Sequence, residues 1–498
     1  MSLEQIRVLV AGHTGLNKLK CIEEHVVPFL LERDADWRAA TAKGDQEACS
    51  RIRNEQILVL ELERAIPSTA YGIIGTPSGR ASWMSSFLEM KRTWLSNASK
   101  PKYVFLLAHL SFQSESHFYT PITWTHTADD GKISFAFLEF LLDDFKPTFI
   151  ITLIDDVYSV QARLNPRRHF RLSELLRWRN VEALFADYVM DAIEIRRGDR
   201  KSGLFPRLRS PIFSVRQSIY SLITYISDPN VPRIYLSYPI TKPLTRWRCC
   251  RDRDMIDQIN HFRHFFSAKV SSFDPLTINE RPIQIALDGV RESEHAKEEQ
   301  RISTLQRLTA ELATALDQTD YTNAKTLLGS INNTLINSCV SDEDLDIRLG
   351  EMWPTEDEDT IAPFTPTTQI SIKRSEMDEV ITKNRAQSVV DRQIRVRDLR
   401  LIDQSDCVVI YRPGLSKKDW STGTQMECSH ARASGKAIII LKEIDDAEPM
   451  GPFDHKLPAE DVIVIEHPAN EDSRKVAFGE ALARVKHYSE EFLRRNLR

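Results

Sequence analysis

Apolar positions in this chain fall into short runs separated by amphipathic stretches. The first run, Ile6 to Ala11, is β-branched and predicts a strand that ends in the turn Gly12-His13-Thr14-Gly15. From Leu16 to Glu32 the apolar residues Ile22, Val26, Phe29 and Leu30 recur at helical spacing. Gln56 to Leu60, Tyr103 to Ala108 and Thr148 to Leu153 read as further strands, with helical segments Ser82 to Ser96 and Ser134 to Asp144 among the intervening pieces. Strands alternating with helices predict βαβ units and a parallel sheet.

This alternation runs to about residue 225. A second series opens with strand Ile234 to Ile240 and helix Arg253 to Phe266. From Asn279 to about Thr382 the pattern changes: Glu292 to Asp317 is a charged amphipathic helix that pairs with Tyr321 to Ile336. Ser341 to Thr368 is acidic, carries Pro354, Pro363 and Pro366, and reads as an extended linker or surface loop. Alternation then resumes with helix Arg374 to Gln404, strand Cys407 to Tyr411, helix Gly423 to Ser434, strands Ala437 to Leu441 and Val462 to Ile465, and a final helix Arg474 to Arg495. The expected fold class is α/β. It consists of two doubly wound, Rossmann-like parallel-sheet domains over 1–228 and 229–498, the second with a helical insertion at about 280–385.

Composition narrows the function classes. With 498 residues, 42% hydrophobic and 28% charged, the chain can bury sizeable cores, which excludes global disorder. The net charge of −5, from 66 basic and 71 acidic side chains, argues against a dedicated duplex-DNA binder. Apolar stretches such as Phe149 to Ile154 are far short of the roughly 18 residues of a membrane span, so no membrane partner is expected. Met1 to Lys20 holds only the run Val8 to Ala11, too short for a secretory signal. Seven scattered cysteines with no CxxC pair fit neither a disulfide framework nor a zinc ribbon, and point to a reducing, cytoplasmic setting.

Strand, Gly12-His13-Thr14-Gly15-Leu16-Asn17-Lys18, then helix is the layout of a phosphate-binding loop. Gly12 and Gly15 let backbone N–H groups close on phosphate oxygens, and Lys18 supplies a point charge. Asp155, at the end of the strand from Phe149, is a candidate metal-facing or water-facing acid, and Arg163, Arg167, Arg168, Arg171, Arg177 and Arg179 form a lid-like basic cluster. The layout resembles P-loop nucleotide-kinase-like domains. It departs from them at Leu19, which cannot place a hydroxyl on magnesium, so phosphate binding is expected without phosphoryl transfer. A nucleotide, ATP or a dNTP, is the expected ligand of this half.

The richest segment runs from Arg397 to Lys436. Asp398 lies near a helix end and Ser405-Asp406 precedes an apolar strand. The loop Ser421-Thr422 then leads into Gly423-Thr424-Gln425-Met426-Glu427, and Gly435-Lys436 precedes the next strand. Ligands sit at the carboxyl edges of strands in open α/β sheets. A carboxylate held there can attack a sugar's anomeric carbon through an oxocarbenium-like transition state, while a second one manages the proton of the leaving base. Taken singly, such acids also serve as helix caps.

Taken together, these residues resemble the nucleoside 2-deoxyribosyltransferase family over about 230–280 and 385–445. By that resemblance Glu427 is the nucleophile, Asp398 handles the base, and Tyr235 on the opening strand positions the nucleophile. Asp406, Ser421, Gly423 and Thr424 belong to the substrate-binding set. Some members of the family carry an Asp two residues before the Gly, where this chain has Ser421, with Asp419 two residues earlier. The substrate expected is a nucleoside, nucleotide or NAD, with no cofactor or metal required for the glycosyl chemistry. A homo-oligomer is expected from the behaviour of related enzymes. The fused layout also resembles effectors of antiphage defence. The alternative reading is a nucleotide-sensing or assembly protein without catalysis.

Overall fold

Runs of Val, Ile, Leu and Phe become the inner strands of two parallel sheets in the computed structural model of the protein. The structure describes residues 5–62, 74–97, 101–114, 117–127, 133–164, 170, 172–198, 209–228, 230–240, 243, 253–278, 299–315, 318, 321–336, 344–349, 368–373, 387–413, 422–443, 460–467 and 470–496.

The first sheet contains β1 (Ile6–Ala11), β2 (Ile57–Glu61), β3 (Tyr103–Leu107), β4 (Phe149–Ile154) and β5 (Ile212–Ser214), in the order β2-β3-β1-β4-β5. Every residue of β3 is buried, as expected where both faces of a parallel sheet are covered. The chain leaves β1 for the edge strand β2, returns through β3, and crosses over β1 to β4. The connections on either side of β1 therefore diverge, and the crevice they leave opens at the carboxyl end of β1.

The helical segment after β1 is not uniform. Its middle turn, Ile22–Val26, is a π-turn immediately ahead of Pro28. A proline lacks the N–H of a regular turn and its ring crowds the carbonyl four residues back, and the wider turn relieves both problems. A long helix, α1 (Leu172–Arg197), packs across the sheet with Ala186, Val189, Met190 and Ile193 buried.

The second sheet contains β6 (Arg233–Ser237), β7 (Ser271–Phe273), β8 (Cys407–Arg412), β9 (Ala437–Glu443) and β10 (Asp461–Ile465), in the order β7-β6-β8-β9-β10. Its helices are α2 (Asp254–Ser267), α3 (Gln387–Asp403), α4 (Thr422–Ala433) and α5 (Glu471–Asn496). From β6 the chain goes out to β7, comes back over β6 to β8, and proceeds to the far edge. The switch point of this sheet is the β6/β8 crevice.

The two sheets share a continuous core in which Phe213 and Tyr225 meet Tyr235, Phe273, Leu401 and Ile402. Hydrogen bonds stitch the same seam. The Gln404 amide donates to the Ile212 carbonyl (2.9 Å) and accepts from its N–H (3.0 Å), so a side chain takes the place of a sixth strand beside β5. The Ser214 hydroxyl donates to the Thr277 carbonyl at 2.6 Å, and Arg400 grips Asp187 of α1 at 2.6 and 2.7 Å. The Arg233 guanidinium lies 3.6 Å from the Tyr225 ring centroid.

Several expectations need correcting in detail. The expected helix from Ser134 becomes a short α-turn, Ala136–Glu139, followed by the π-turn Phe140–Phe145. The acidic piece read as linker contains a strand, Asp344–Leu349, paired antiparallel with Thr368–Lys373; alternating Leu345, Ile347 and Leu349 supply its period of two. Helices are present over 299–315 and Tyr321–Ile336, where the paired helices are expected. Helix Arg374 to Gln404 is described only from Gln387. Among the described residues no helix is long and apolar enough to cross a membrane.

Candidate active site

Three side chains from two elements meet at the β6/β8 switch point, and a fourth stands beside them. Tyr235 and Ser237 are two residues apart on β6 and so share a face of the strand. Glu427 lies just over one turn into α4, which leaves the carboxyl edge of β8. Its Oε1 accepts from the Tyr235 hydroxyl at 3.0 Å and its Oε2 from the Ser237 hydroxyl at 2.7 Å. Asp398, on α3, is near enough for its charge to act on both Glu427 and Tyr235. Arg397 clamps Asp398 Oδ1 through Nε (2.9 Å) and Nη2 (2.7 Å), and its Nη1 donates to the Ile278 carbonyl at 2.8 Å.

The electrostatics follow from this arrangement. Burial pushes the Glu427 carboxyl up to about 7, and the Asp398 charge adds to the rise. The Ser237 and Tyr235 hydrogen bonds and the Arg397 charge work the other way, because they favour the ionised form. Burial, then the charges of Glu427 and Asp398, hold the Tyr235 phenol well above its ordinary value, so it remains a donor at physiological pH. The neighbouring Cys428 thiol is pushed up to about 12 by burial and is not a thiolate nucleophile. A half-buried carboxylate with two fixed donors and a second carboxylate beside it can serve as nucleophile or as general base.

Beneath the site, the Tyr238 hydroxyl and Arg263 Nε (2.6 Å) converge on Asp274, whose Oδ1 also accepts the Leu276 N–H at 2.9 Å. This buried cluster ties the exit of β6 to the turn after β7, and so fixes the floor on which Tyr235 and Ser237 stand.

Not all of the expected site residues gather here. Gly423 and Thr424 open α4 near the crevice, and Ser421 lies outside the described residues. Asp406 sits elsewhere, at the amino edge of β8. Its Oδ2 accepts the Arg233 N–H (2.9 Å) and the Ser489 hydroxyl (2.7 Å), clamping β6, β8 and α5 together. The strand carries it away from the edge where Glu427 stands, so its assignment to substrate binding is corrected to a structural clamp.

The first sheet has its own constellation at the carboxyl end of β1. Gly12 and Gly15 have φ of 138° and 91°, and a Cβ on Gly12 would stand 2.8 Å from the Leu153 carbonyl oxygen. The loop thus presses against β4 as only glycine allows. Lys18 turns into the loop: Nζ donates to the Gly12 carbonyl at 2.7 Å and lies 3.3 Å from both ring nitrogens of His109, whose Nε2 is 3.1 Å from the Thr14 hydroxyl.

Asp155 is not a free metal-facing acid. Arg163 (2.7 Å) and Arg216 (3.0 Å) bind its two oxygens, and Arg216 also binds Asp156 at 2.5 Å. The lid-like arginine cluster resolves into unlike parts. Arg163 is spent on Asp155, Arg179 is buried, Arg177 is exposed, and Arg167, Arg168 and Arg171 lie outside the described residues.

Sequence reasoning passed over Ser237, Arg397 and Arg216. For Ser237 a signal existed: its offset of two from Tyr235 on a strand puts both on one face. Arg397 adjoins Asp398 in sequence, but an adjacent Arg-Asp pair does not show that the two side chains meet; the partners of Arg216 lie some 60 residues back, just after β4. No family model matches the chain, and no curated protein matches it either.

Proposed function

We propose that the chain breaks N-glycosidic bonds in a nucleoside, nucleotide or NAD, as an enzyme resembling nucleoside 2-deoxyribosyltransferases, with Glu427 as nucleophile. The observation that carries this reading is the pair of hydroxyls, Tyr235 and Ser237, donating to the two oxygens of one carboxylate at a sheet's switch point.

In the reaction, a Glu427 oxygen attacks C1′ and the C1′–N bond breaks, its electron pair leaving with the base. That nitrogen takes up a proton drawn from solvent by way of Asp398. Water or a second base then attacks C1′ of the glycosyl-enzyme ester, releases Glu427 and gives up its own proton to solvent by the same carboxylate. Arg397 orients Asp398. The Tyr235 hydroxyl holds the nucleophile before attack, and Glu427 gains reactivity as it ionises, around pH 7.

In this reading residues 1–228 are a nucleotide-binding unit and residues 229–498 the glycosyl unit, interrupted at about 280–385. The direct test is incubation with deoxynucleosides, deoxynucleotides and NAD, followed by chromatography of free base. Release that vanishes in Glu427→Ala supports the reading, and no release from any substrate rejects it.

A second reading, nucleotide sensing without catalysis, draws on the first sheet. There Lys18 and Asp155 are bound to protein partners, and Leu19 stands where a magnesium-binding hydroxyl would be needed. It predicts binding of ATP or a dNTP that weakens in Lys18→Ala, with no phosphate transferred.

A further inference from the structure

The Ser237 hydroxyl is an unusual polar group in this fold. Many serine and threonine hydroxyls here bond back to a carbonyl one helical turn earlier, as Ser82, Ser86 and Ser429 do. Ser237 ends a strand, where no such local acceptor lies within reach, and the residue is 1% exposed. Its hydroxyl donates at 2.7 Å to Glu427 Oε2, across 190 residues of sequence.

We infer that Ser237 is a positioning residue, whose hydroxyl fixes Oε2 of Glu427 so that the carboxylate plane presents one orientation to the crevice. This inference rests on the glycosyl reading for its purpose, though not for its geometry.

The terminal torsion of a glutamate is broad, so a single donor leaves its carboxylate free to swing. Tyr235 alone would be such a donor. A second donor on the other oxygen, from the same strand face, removes that freedom. The strand is itself rigid, since β6 is hydrogen-bonded to β7 on one side and β8 on the other. Position also separates the two hydroxyls. Tyr235 lies mid-strand and is fully buried, whereas Ser237 is the last residue of β6, at the edge from which a sugar would approach. Ser237 therefore sets how Glu427 meets C1′. Because a donor favours the charged carboxylate, it also keeps Glu427 ionised at lower pH than burial and Asp398 alone would allow.

The test uses the full chain with Ser237→Ala and Ser237→Thr, each also combined with Glu427→Gln. For base release, Ser237→Ala is expected to move the rising limb of kcat/KM against pH about one unit upward. Beyond that shift, the loosened carboxylate is expected to lower kcat about ten-fold at every pH, pH 9 included, with KM near the native value; Ser237→Thr restores the native profile. A native rate at pH 9 overturns the inference.

A second measurement needs no activity. The gain in Tm on replacing Glu427 by Gln is followed from pH 4 to 9 in native and Ser237→Ala backgrounds. The gain is expected to level off near pH 7 in the native background and about one unit higher in the variant. Levelling at the same pH in both overturns the inference. A shifted curve with no base released from any substrate upholds the role of Ser237 and rejects the glycosyl reading.

Discussion

Tyr235 and Glu427 stand 192 residues apart in the chain and meet through a single 3.0 Å hydrogen bond, phenol to carboxylate. The bond exists because β6 and β8 are neighbours, so a strand and the helix leaving the next strand deliver their side chains to one crevice. Replacing Tyr235 by Phe keeps the buried ring and removes the donor. The expected result is a drop in base release of about ten-fold or more, with a cost in folding stability of only about 1 kcal/mol. Steady-state kinetics and urea unfolding of the same sample check both.

The Glu427 carboxyl carries a pH dependence of its own. Its folded value of about 7 lies above the ordinary 4.5, so between those values the folded chain holds a proton that the unfolded chain has released. This contribution to stability is intact below about pH 4.5, falls as pH rises through about 7, and is level above it. Glu427→Gln removes the dependence. It is expected to be the more stable protein at pH 8, by up to roughly 3 kcal/mol, with the advantage shrinking toward pH 4.5. Thermal melts at paired pH values read the difference; an advantage that grows toward acid pH contradicts the assignment.

Gly12 is expected to tolerate no side chain. At φ 138°, with the Leu153 carbonyl oxygen 2.8 Å from any Cβ, Gly12→Ala forces either the loop or β4 to move. A loss of about 1–3 kcal/mol is expected, together with weakened nucleotide binding. Denaturant unfolding and calorimetric titration with ATP measure the two effects. Gly44, which has nothing within 4 Å of a Cβ, is the control, and its φ of 69° leaves only the backbone cost.

Arg216 is shared by two buried acids, so its removal strands charge. Arg216→Ala leaves Asp155 with the Arg163 guanidinium and the Asp156 N–H, and deprives Asp156 of its guanidinium. A destabilisation of about 3–5 kcal/mol is expected, larger than for Arg163→Ala, whose side chain is partly solvated. The order of the two Tm values decides it.

The long strands were legible in the chain because β1, β3, β4, β8 and β9 are apolar runs that a covered parallel sheet requires. β5 and β7 were not. Each has three residues, and Ser271-Ser272-Phe273 is pulled into the sheet by its neighbour β6 rather than by its own pattern. The same divide runs through the site. Glu427, Asp398 and Tyr235 sit in patterned segments, whereas the work of Ser237 and Arg397 depends on who faces them. Asp406 shows the converse: an acid ahead of an apolar strand reads the same whether it binds a ligand or, as here, pins strand starts together.

The Gln404 amide beside β5 carries one last consequence. A fragment cut near residue 228 would lose this surrogate partner, leaving Ile212's outward N–H and carbonyl bare on a strand flanked by uncovered Phe213 and Tyr225 rings. Such a margin invites self-association. Expressed alone, the amino-terminal half is therefore expected to clump, and biochemistry on its Gly12-to-Lys18 loop calls for the uncut polypeptide.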